Sequence, residues 1–571
     1  RKVSLMKNKK LVLPLIFTVG IFIIVAAIFI IKKNMPCNDY MNLAEYYGES
    51  EKGYTVIAEE NINKNKALYE DGHIYIDDEF VSGVLNKRFY WDANENLLIY
   101  TTATSVIKAG LDSKTYDINK SSNTKDYVIA KLRGDKLYIA LDFIKEYTAL
   151  EYKTYKNPNR VVLTYKFGDK QKWVRADEEA KLRFEPSIKS RILIDVKKKD
   201  KLRILEENTD KSGFDKVLSE SGVIGYIKMS SLGDTYEYVP KTDFVEETYP
   251  HILLSGKVNL LWHQVTTQSA NANLTNVLSG TKKVNVIAPT WFGTSDNNGN
   301  ISSIASYDYV EKAHSMGIQV WGLCNDFAPD MKIGKVLSRT SRRERLEKNL
   351  LAEAIRYSLD GINIDFENVK KANGDDFIQF VRELGIMCRN NGIVLSIDNY
   401  PPASYSAYYS RNEQAAVADY VITMAYDEFY SGSKEAGPVS SISYVRNASE
   451  NILKEVPANQ SIIGLPFYSR LWKETTKNGE TKLSSEACSM KYAGELISDA
   501  KAELKWNEQT GLEYAEYTKD NALYKIWLEN SKSLAMKLKT VNSHKMAGAA
   551  FWKAGMEKKN VWDTIEKYMA Q

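Results

Sequence analysis

Asp360-Gly361-Ile362-Asn363-Ile364-Asp365-Phe366-Glu367 alternates apolar side chains with acids and an amide. In a β-strand successive side chains point to opposite faces, so Asn363, Asp365 and Glu367 share one face and Ile362, Ile364 and Phe366 the other. Two residues of strand rise set the β-carbons of Asp365 and Glu367 roughly 6.6 Å apart. If both acids face a dry cleft, each raises the other's cost of ionisation, and one of them keeps a proton near neutral pH. A solvated strand edge with scattered acids is the plain alternative. So clean an apolar face argues against it, because uncompensated carboxylates on a buried strand are expensive.

Working outward, eight apolar strand candidates follow residue 257: Val258 to Trp262, Val284 to Ala288, Ile318 to Cys324, Gly361 to Glu367, Ile393 to Asp398, Tyr420 to Tyr426, Ser461 to Pro466 and Ala547 to Trp552. Helical text separates most of them, most plainly from Arg342 to Leu359, where Leu346, Leu350, Ala354 and Ile355 interleave with charge. Eight β/α units predict an α/β fold, a (β/α)8 TIM barrel over residues 257–571. A doubly wound open sheet is the rival, but no glycine-rich phosphate loop follows any strand. The stretch between the seventh and eighth strands exceeds one helix, so residues 469–546 or thereabouts are expected to form a small insertion walling one side of the cleft.

Barrel enzymes build their sites at the C-terminal ends of the strands. There the acidic strand would meet Trp291, Asn325-Asp326, Asp398-Asn399-Tyr400, Met424-Ala425-Tyr426-Asp427, Pro466-Phe467-Tyr468 and Phe551-Trp552. Aromatic rings around acids make a sugar-binding floor with a proton donor, although each aromatic taken singly reads as core packing.

Asp360 to Glu367, Met424 to Asp427, Leu465-Pro466-Phe467-Tyr468 and Phe551-Trp552 together resemble glycoside hydrolase family 18, the chitinase family, from Lys257 onward. Asn363, Tyr426-Asp427-Glu428, Gly437-Pro438-Val439 and Ile526-Trp527-Leu528-Glu529-Asn530 are similar to its bacterial branch of spore-cortex and peptidoglycan N-acetylglucosaminidases. The resemblance implies retaining hydrolysis in which the substrate's own 2-acetamido oxygen is the nucleophile. It implies Glu367 as proton donor, Asp365 as acceptor of the acetamido N–H, and Tyr426 as donor to the acetamido oxygen. Asp427, Trp552, Asn363, Trp291, Asn399 and Tyr468 are the expected sugar-contacting residues. Many chitinases carry Asp where this chain has Asn363; the amide is expected to donate to Asp365 and favour its charged form. A sugar-binding protein without activity is the other reading. Loss of Glu367 would be its signature, and Glu367 is present.

Upstream the chain reads as separate modules. Leu11 to Ile31 is an unbroken apolar run of 21 residues, about 31 Å as a helix and enough to cross a bilayer. Basic residues precede it, so the positive-inside rule predicts a cytoplasmic tail over 1–10, a transmembrane helix over 11–31 and everything later outside the cell membrane. A cleaved signal peptide competes with that reading, but Lys32-Lys33-Asn34-Met35-Pro36 follows where a small-residue cleavage site would stand. Residues 38–170 resemble the small α+β stalk domain named after the N-terminal part of copper amine oxidases. Residues 175–245, with Gly225-Tyr226-Ile227, resemble a bacterial Src-homology-3-like barrel, which implies possible contact with the cell wall.

Lys+Arg 77 against Asp+Glu 73 gives a net charge of +4, no reason to expect nucleic acid as a partner. Five scattered His and four Cys without metal-ligand spacing predict no cofactor. Cys324 and Cys388 read as buried thiols. The expected partner is a polysaccharide containing N-acetylglucosamine, either peptidoglycan or chitin.

Overall fold

A computed structural model describes residues 4–48, 53–208, 211–477 and 480–569. The chain divides into two compact units, one of residues 1–89, 110–115 and 124–246, the other of residues 90–109, 116–123 and 247–571.

In the second unit eight parallel strands close into a barrel: β1 (Val258–His263), β2 (Val286–Pro289), β3 (Gln319–Asn325), β4 (Gly361–Asp365), β5 (Val394–Asn399), β6 (Tyr420–Met424), β7 (Ser461–Pro466) and β8 (Gly548–Trp552). Closure is made where β8 pairs β7 through Ile462 and Gly548, and β1 through Leu260 and Ala550. The expected order and number of strands hold. Most boundaries shift by one or two residues, and two matter for the site: β4 stops at Asp365 and β6 at Met424, so Glu367 and Tyr426 lie just beyond their strands. The backbone N–H groups of Glu367 and Asn368 donate to the Asp326 carboxylate at 3.0 and 2.9 Å instead of continuing a ladder.

The period of two sorts each strand between two apolar layers. Ile362, Ile364 and Phe366 face the helices, with Phe366 stacked on Phe380 at 5.6 Å between ring centres. The other parity fills the barrel with Leu260, Trp262, Trp321, Leu323, Tyr420 and Ile462. Gly361 has to be glycine here, since a β-carbon would sit 2.6 Å from the Trp321 ring.

Helices Thr340–Arg356 and Gly374–Asn390 pack on the outer face and share a fully buried ionic cluster. Arg343 donates to Glu383 at 2.8 Å, to the Leu337 carbonyl at 2.6 Å and to the Tyr90 hydroxyl at 3.2 Å. The first of these helices is capped from far away in sequence: the Asp92 carboxylate accepts from the Thr340 N–H at 2.6 Å and its hydroxyl at 2.5 Å. These contacts explain why residues 90–109 belong with the barrel rather than with the rest of the expected 38–170 module. Buried polar groups must be satisfied where they lie, and this helix start is satisfied by that segment.

The insertion after β7 is an antiparallel five-stranded sheet in the order Glu480–Ser489, Tyr468–Lys477, Ala522–Leu528, Leu512–Lys519, Lys505–Asn507, with helix Met490–Asp499 against it.

The first unit holds two seven-stranded sheets. One runs through Gly53–Ala58, Asn61–Glu70 and His73–Asp77, with Arg160–Thr164 parallel to the first of these. The other contains Gln171–Arg175, Ala180–Arg183, Ile192–Val196, Lys201–Glu206, Phe214–Ser219, Ile224–Lys228 and Tyr236–Tyr238. Helix Ser4–Asn34 includes a segment, Phe17–Asn34, long and apolar enough to cross a membrane. Arg1 and Lys2 of the expected tail lie outside the described residues. All four cysteines are free thiols, with Cys324, Cys388 and Cys488 buried.

Candidate active site

At the C-terminal mouth of the barrel, the inward parity of β4 and β5 brings Asn363, Asp365, Ser396 and Asp398 together, all buried. Asn363 is the hub. Its Oδ1 accepts from Trp262 Nε1 at 3.0 Å, and its Nδ2 donates to Ser396 Oγ at 3.0 Å and Asp398 Oδ1 at 2.9 Å. The expected hydrogen bond from Asn363 to Asp365 is therefore not the one formed. On a twisted parallel sheet the amide reaches across to β5, while Asp365 lies two residues along its own strand. The acid that keeps company with position 363 is Asp398.

Asp365 has an Oδ1 atom without a hydrogen-bond partner among the described residues. Burial, followed by the charges of Asp398 and Glu367, holds its carboxyl well above the usual carboxylate range. Burial also pushes Asp398 up, to about 8, against the opposing pull of the Asn363 amide. Only Asp398 of this pair receives that amide, so of the two carboxyls it is the one whose charged form a side-chain hydrogen bond favours.

A buried acid with a raised pKa binds a proton in the folded chain that it has lost in the unfolded one. Asp398 therefore costs stability progressively as pH rises from about 4, its unfolded value, to about 8. Asp398→Asn is expected to flatten the fall of the unfolding midpoint over that interval, read by thermal melts in a pH series. A slope unchanged by the substitution would remove Asp398 as its source.

Glu367 is half-buried at the mouth. Tyr400 donates its hydroxyl to Glu367 Oε2 at 2.6 Å. Burial raises the Glu367 pKa, the Tyr400 hydrogen bond pulls it down, and the charges of Asp326 and Asp427 raise it further. Asp326 is itself buried and holds the chain immediately after β4 through both carboxylate oxygens.

The aromatic wall comes from β1, β8 and the residues just after β6 and β7. Trp262 stands edge-on to Tyr426 at 6.4 Å and to Trp552 at 6.0 Å. Burial, with the neighbouring Tyr468, keeps the Tyr426 hydroxyl protonated far above its ordinary range, fit to donate. Tyr468 donates to Asp427 Oδ1 at 2.7 Å, and Arg470 of the insertion lies 3.5 Å from the same oxygen.

Of the nine residues expected from sequence, seven gather here: Glu367, Asp365, Tyr426, Asp427, Trp552, Asn363 and Tyr468. Two do not. Trp291 is buried in the outer layer, donating to Asn271 at 2.7 Å and packed on Tyr309 at 4.9 Å. Asn399 has the opposite parity to Asp398, faces outward and exchanges hydrogen bonds with Gln414 at 2.8 and 3.0 Å. Four residues went unassigned: Asp398, Tyr400, Asp326 and Trp262. Period-two counting from Ser396 finds Asp398. Nothing local in the sequence marks Tyr400 as the partner of Glu367.

Residues 328–557 match the family model "Glycosyl hydrolases family 18". The chain is 27% identical over 302 residues to the "Uncharacterized glycosylase YvbX" of Bacillus subtilis (strain 168), covering 50% of this chain and 84% of that protein. It is 25% identical over 239 residues to the "Cortical fragment-lytic enzyme" of the same organism, covering 40% of this chain and only 55% of that relative. Among solved structures, the C-terminal domain of a candidate chitinase from Desulfitobacterium hafniense DCB-2 superposes with a TM-score of 0.50 at 19% identity, over 55% of this chain and 100% of that one, a likeness of fold. The barrel is that of a glycosidase. The chain carries a glycoside hydrolase family 18 domain.

Proposed function

We propose that the chain is a membrane-anchored, cell-surface glycosidase that cleaves β-1,4 bonds beside N-acetylglucosamine, with peptidoglycan as its substrate and the barrel outside the cell. The observation that carries this is the protonatable Glu367, held at the barrel mouth beside the buried pair Asp365 and Asp398. The apolar N-terminal helix and the similarity to a cortical fragment-lytic enzyme support the wall as substrate.

In the first step Glu367 protonates the leaving glycosidic oxygen while the C1–O bond breaks. The substrate's acetamido oxygen attacks C1 and closes an oxazolinium ring. Tyr426 orients that oxygen through its hydroxyl. The acetamido N–H donates to the Asp365 Oδ1, which has no hydrogen-bond partner among the described residues, and the ring's positive charge favours the carboxylate over the neutral acid at Asp365. Glu367, now ionised, takes a proton from water, whose oxygen opens the ring with retention at C1. Trp552 forms the apolar floor under the reacting sugar, braced edge-on by the buried Trp262.

Digestion of purified sacculi and of chitin oligosaccharides, with the products weighed by mass spectrometry, tests this directly. Fragments with intact reducing-end N-acetylglucosamine from sacculi are expected, and a chain inert towards both substrates would end the proposal. Asn363→Asp adds a carboxylate against Asp398 and raises the pKa of its acidic neighbours. The alkaline limb of the pH–rate profile should move to higher pH with a smaller change in maximal rate; a limb that stays in place would refute the coupling.

A further inference from the structure

The outward face of the second sheet of the first unit carries aromatic residues where solvated polar ones are the rule. Along Gln171–Arg175, Val174 points into the buried core of that sheet, while Gln171, Trp173 and Arg175 point the other way. Register extends this row across neighbouring strands: Tyr238 is opposite Gln171, Tyr236 opposite Trp173, and Lys201 opposite Arg175. Directly paired residues share a face, so Trp173, Tyr236, Tyr238, Arg175 and Lys201 line one wall. The other wall is the sheet edge formed by Glu151–Tyr155 and Arg160–Thr164, which contributes Lys153 and Thr164. Between them lies a cleft of about 550 Å³, the size of a small-ligand site.

The charges in the cleft are unequal. Glu59 is buried and spent, accepting from Arg203 at 2.9 Å and from the N–H groups of Tyr165 and Lys166 at 2.8 Å each. Glu151 is paired with Lys145 at 2.6 Å. Lys153, Arg175, Lys201 and Lys241 make no ion pair among the described residues and face the single unpaired acid Glu220. Trp173 is fixed by donating Nε1 to Gln171 at 3.0 Å and by an edge-on contact with Tyr238 at 5.8 Å, so its ring is a rigid platform. A rigid aromatic platform takes the apolar face of a pyranose ring, and a surplus of unpaired cations takes carboxylates. A neutral sugar would leave those cations without a role.

We propose that this cleft is a second carbohydrate site, holding an acidic sugar chain with its pyranose rings against Trp173 and Tyr238 and its carboxylates against Arg175 and Lys201. The site is built from residues of the first unit and is independent of hydrolysis. It rests on the proposed wall substrate only for its choice of acidic glycan over nucleic acid, which aromatic and basic clefts also bind.

The test uses the full chain in detergent micelles, carrying Glu367→Gln so that the ligand survives. Three probes are titrated by calorimetry: a peptidoglycan disaccharide-tripeptide, neutral chitotetraose and oligothymidylate. The acidic fragment is expected to bind at a site that Trp173→Ala weakens by about tenfold, the scale of one interface anchor. Trp173→Phe should retain most of the affinity. Arg175→Glu with Lys201→Glu should abolish the preference for the acidic fragment, and salt should weaken that preference in the parent chain. With Glu367 intact, the same cleft variants should release dye from an N-acetylglucosaminide at the parent rate, so a failed cleft and a failed catalytic assignment give different results. Affinity unchanged in Trp173→Ala, equal affinity for chitotetraose, or a preference for oligothymidylate would each overturn the proposal.

Discussion

Glu367→Gln should lower turnover on glycan substrates on the order of 10²-fold or more, the scale of one positioned general acid. Gln keeps the volume of Glu and can still accept the Tyr400 hydroxyl that now sits 2.6 Å from Oε2, so the mouth of the barrel should keep its shape. What it cannot do is carry a titratable proton. Substrate affinity should therefore persist while kcat collapses, which separates loss of chemistry from loss of binding. A nitrophenyl leaving group departs as a stable anion and needs less protonation, so the deficit should be smaller for a nitrophenyl glycoside than for a sugar leaving group. The check is steady-state kinetics on both substrates with the variant and the parent chain. Near-parent turnover on the glycan would take Glu367 out of the role.

The largest stability effect is expected far from the chemistry, at Arg343. Its guanidinium is fully buried and serves Glu383, the Leu337 carbonyl and Tyr90 at once. Burial opposes ionisation of Glu383, yet Arg343 outweighs it and holds that carboxyl below its ordinary value. Beside it, burial and the Glu383 charge push Glu347 well up, while Arg343 and Glu383 form the ion pair of the cluster. Arg343→Met strips the counter-charge from Glu383 and should cost about 3–5 kcal/mol, because an unpaired charge is left in the core. The cost should shrink at acidic pH, where Glu383 can take up a proton in the folded state. Pairing Arg343→Met with Glu383→Leu should recover much of the loss, since apolar replacement of a whole buried pair is often near neutral. Denaturant unfolding of the two variants and the parent decides this. A single variant within 1 kcal/mol of the parent would show that the cluster does not hold the two helices.

The barrel was legible because its signal is local and repeated. Each strand announces itself by an apolar run, and the octapeptide at Asp360 announces which side of its strand faces inward. Seven of the nine anticipated site residues came together because strand ends of a closed barrel must converge. Trp291 and Asn399 lie away from the site for different reasons. Asn399 shares the outward parity of Ile397, which counting from Asp398 already gives. The outward packing of Trp291 depends on Asn271 and Tyr309, which lie 20 and 18 residues away along the chain.

By itself, then, the sequence determined the strand order, the parity that puts Asn363 and Asp365 inside, and the identity of the acid at the mouth, because period-two alternation is a property of neighbours along one chain. Tertiary structure alone decided that Asn363 holds Asp398, that Tyr400 meets Glu367, that Asp92 caps a barrel helix 248 positions later, and that Trp173 faces an open cleft. Each of those is a hydrogen bond or a packing contact between distant segments, and its geometry exists only once the sheets have closed and twisted.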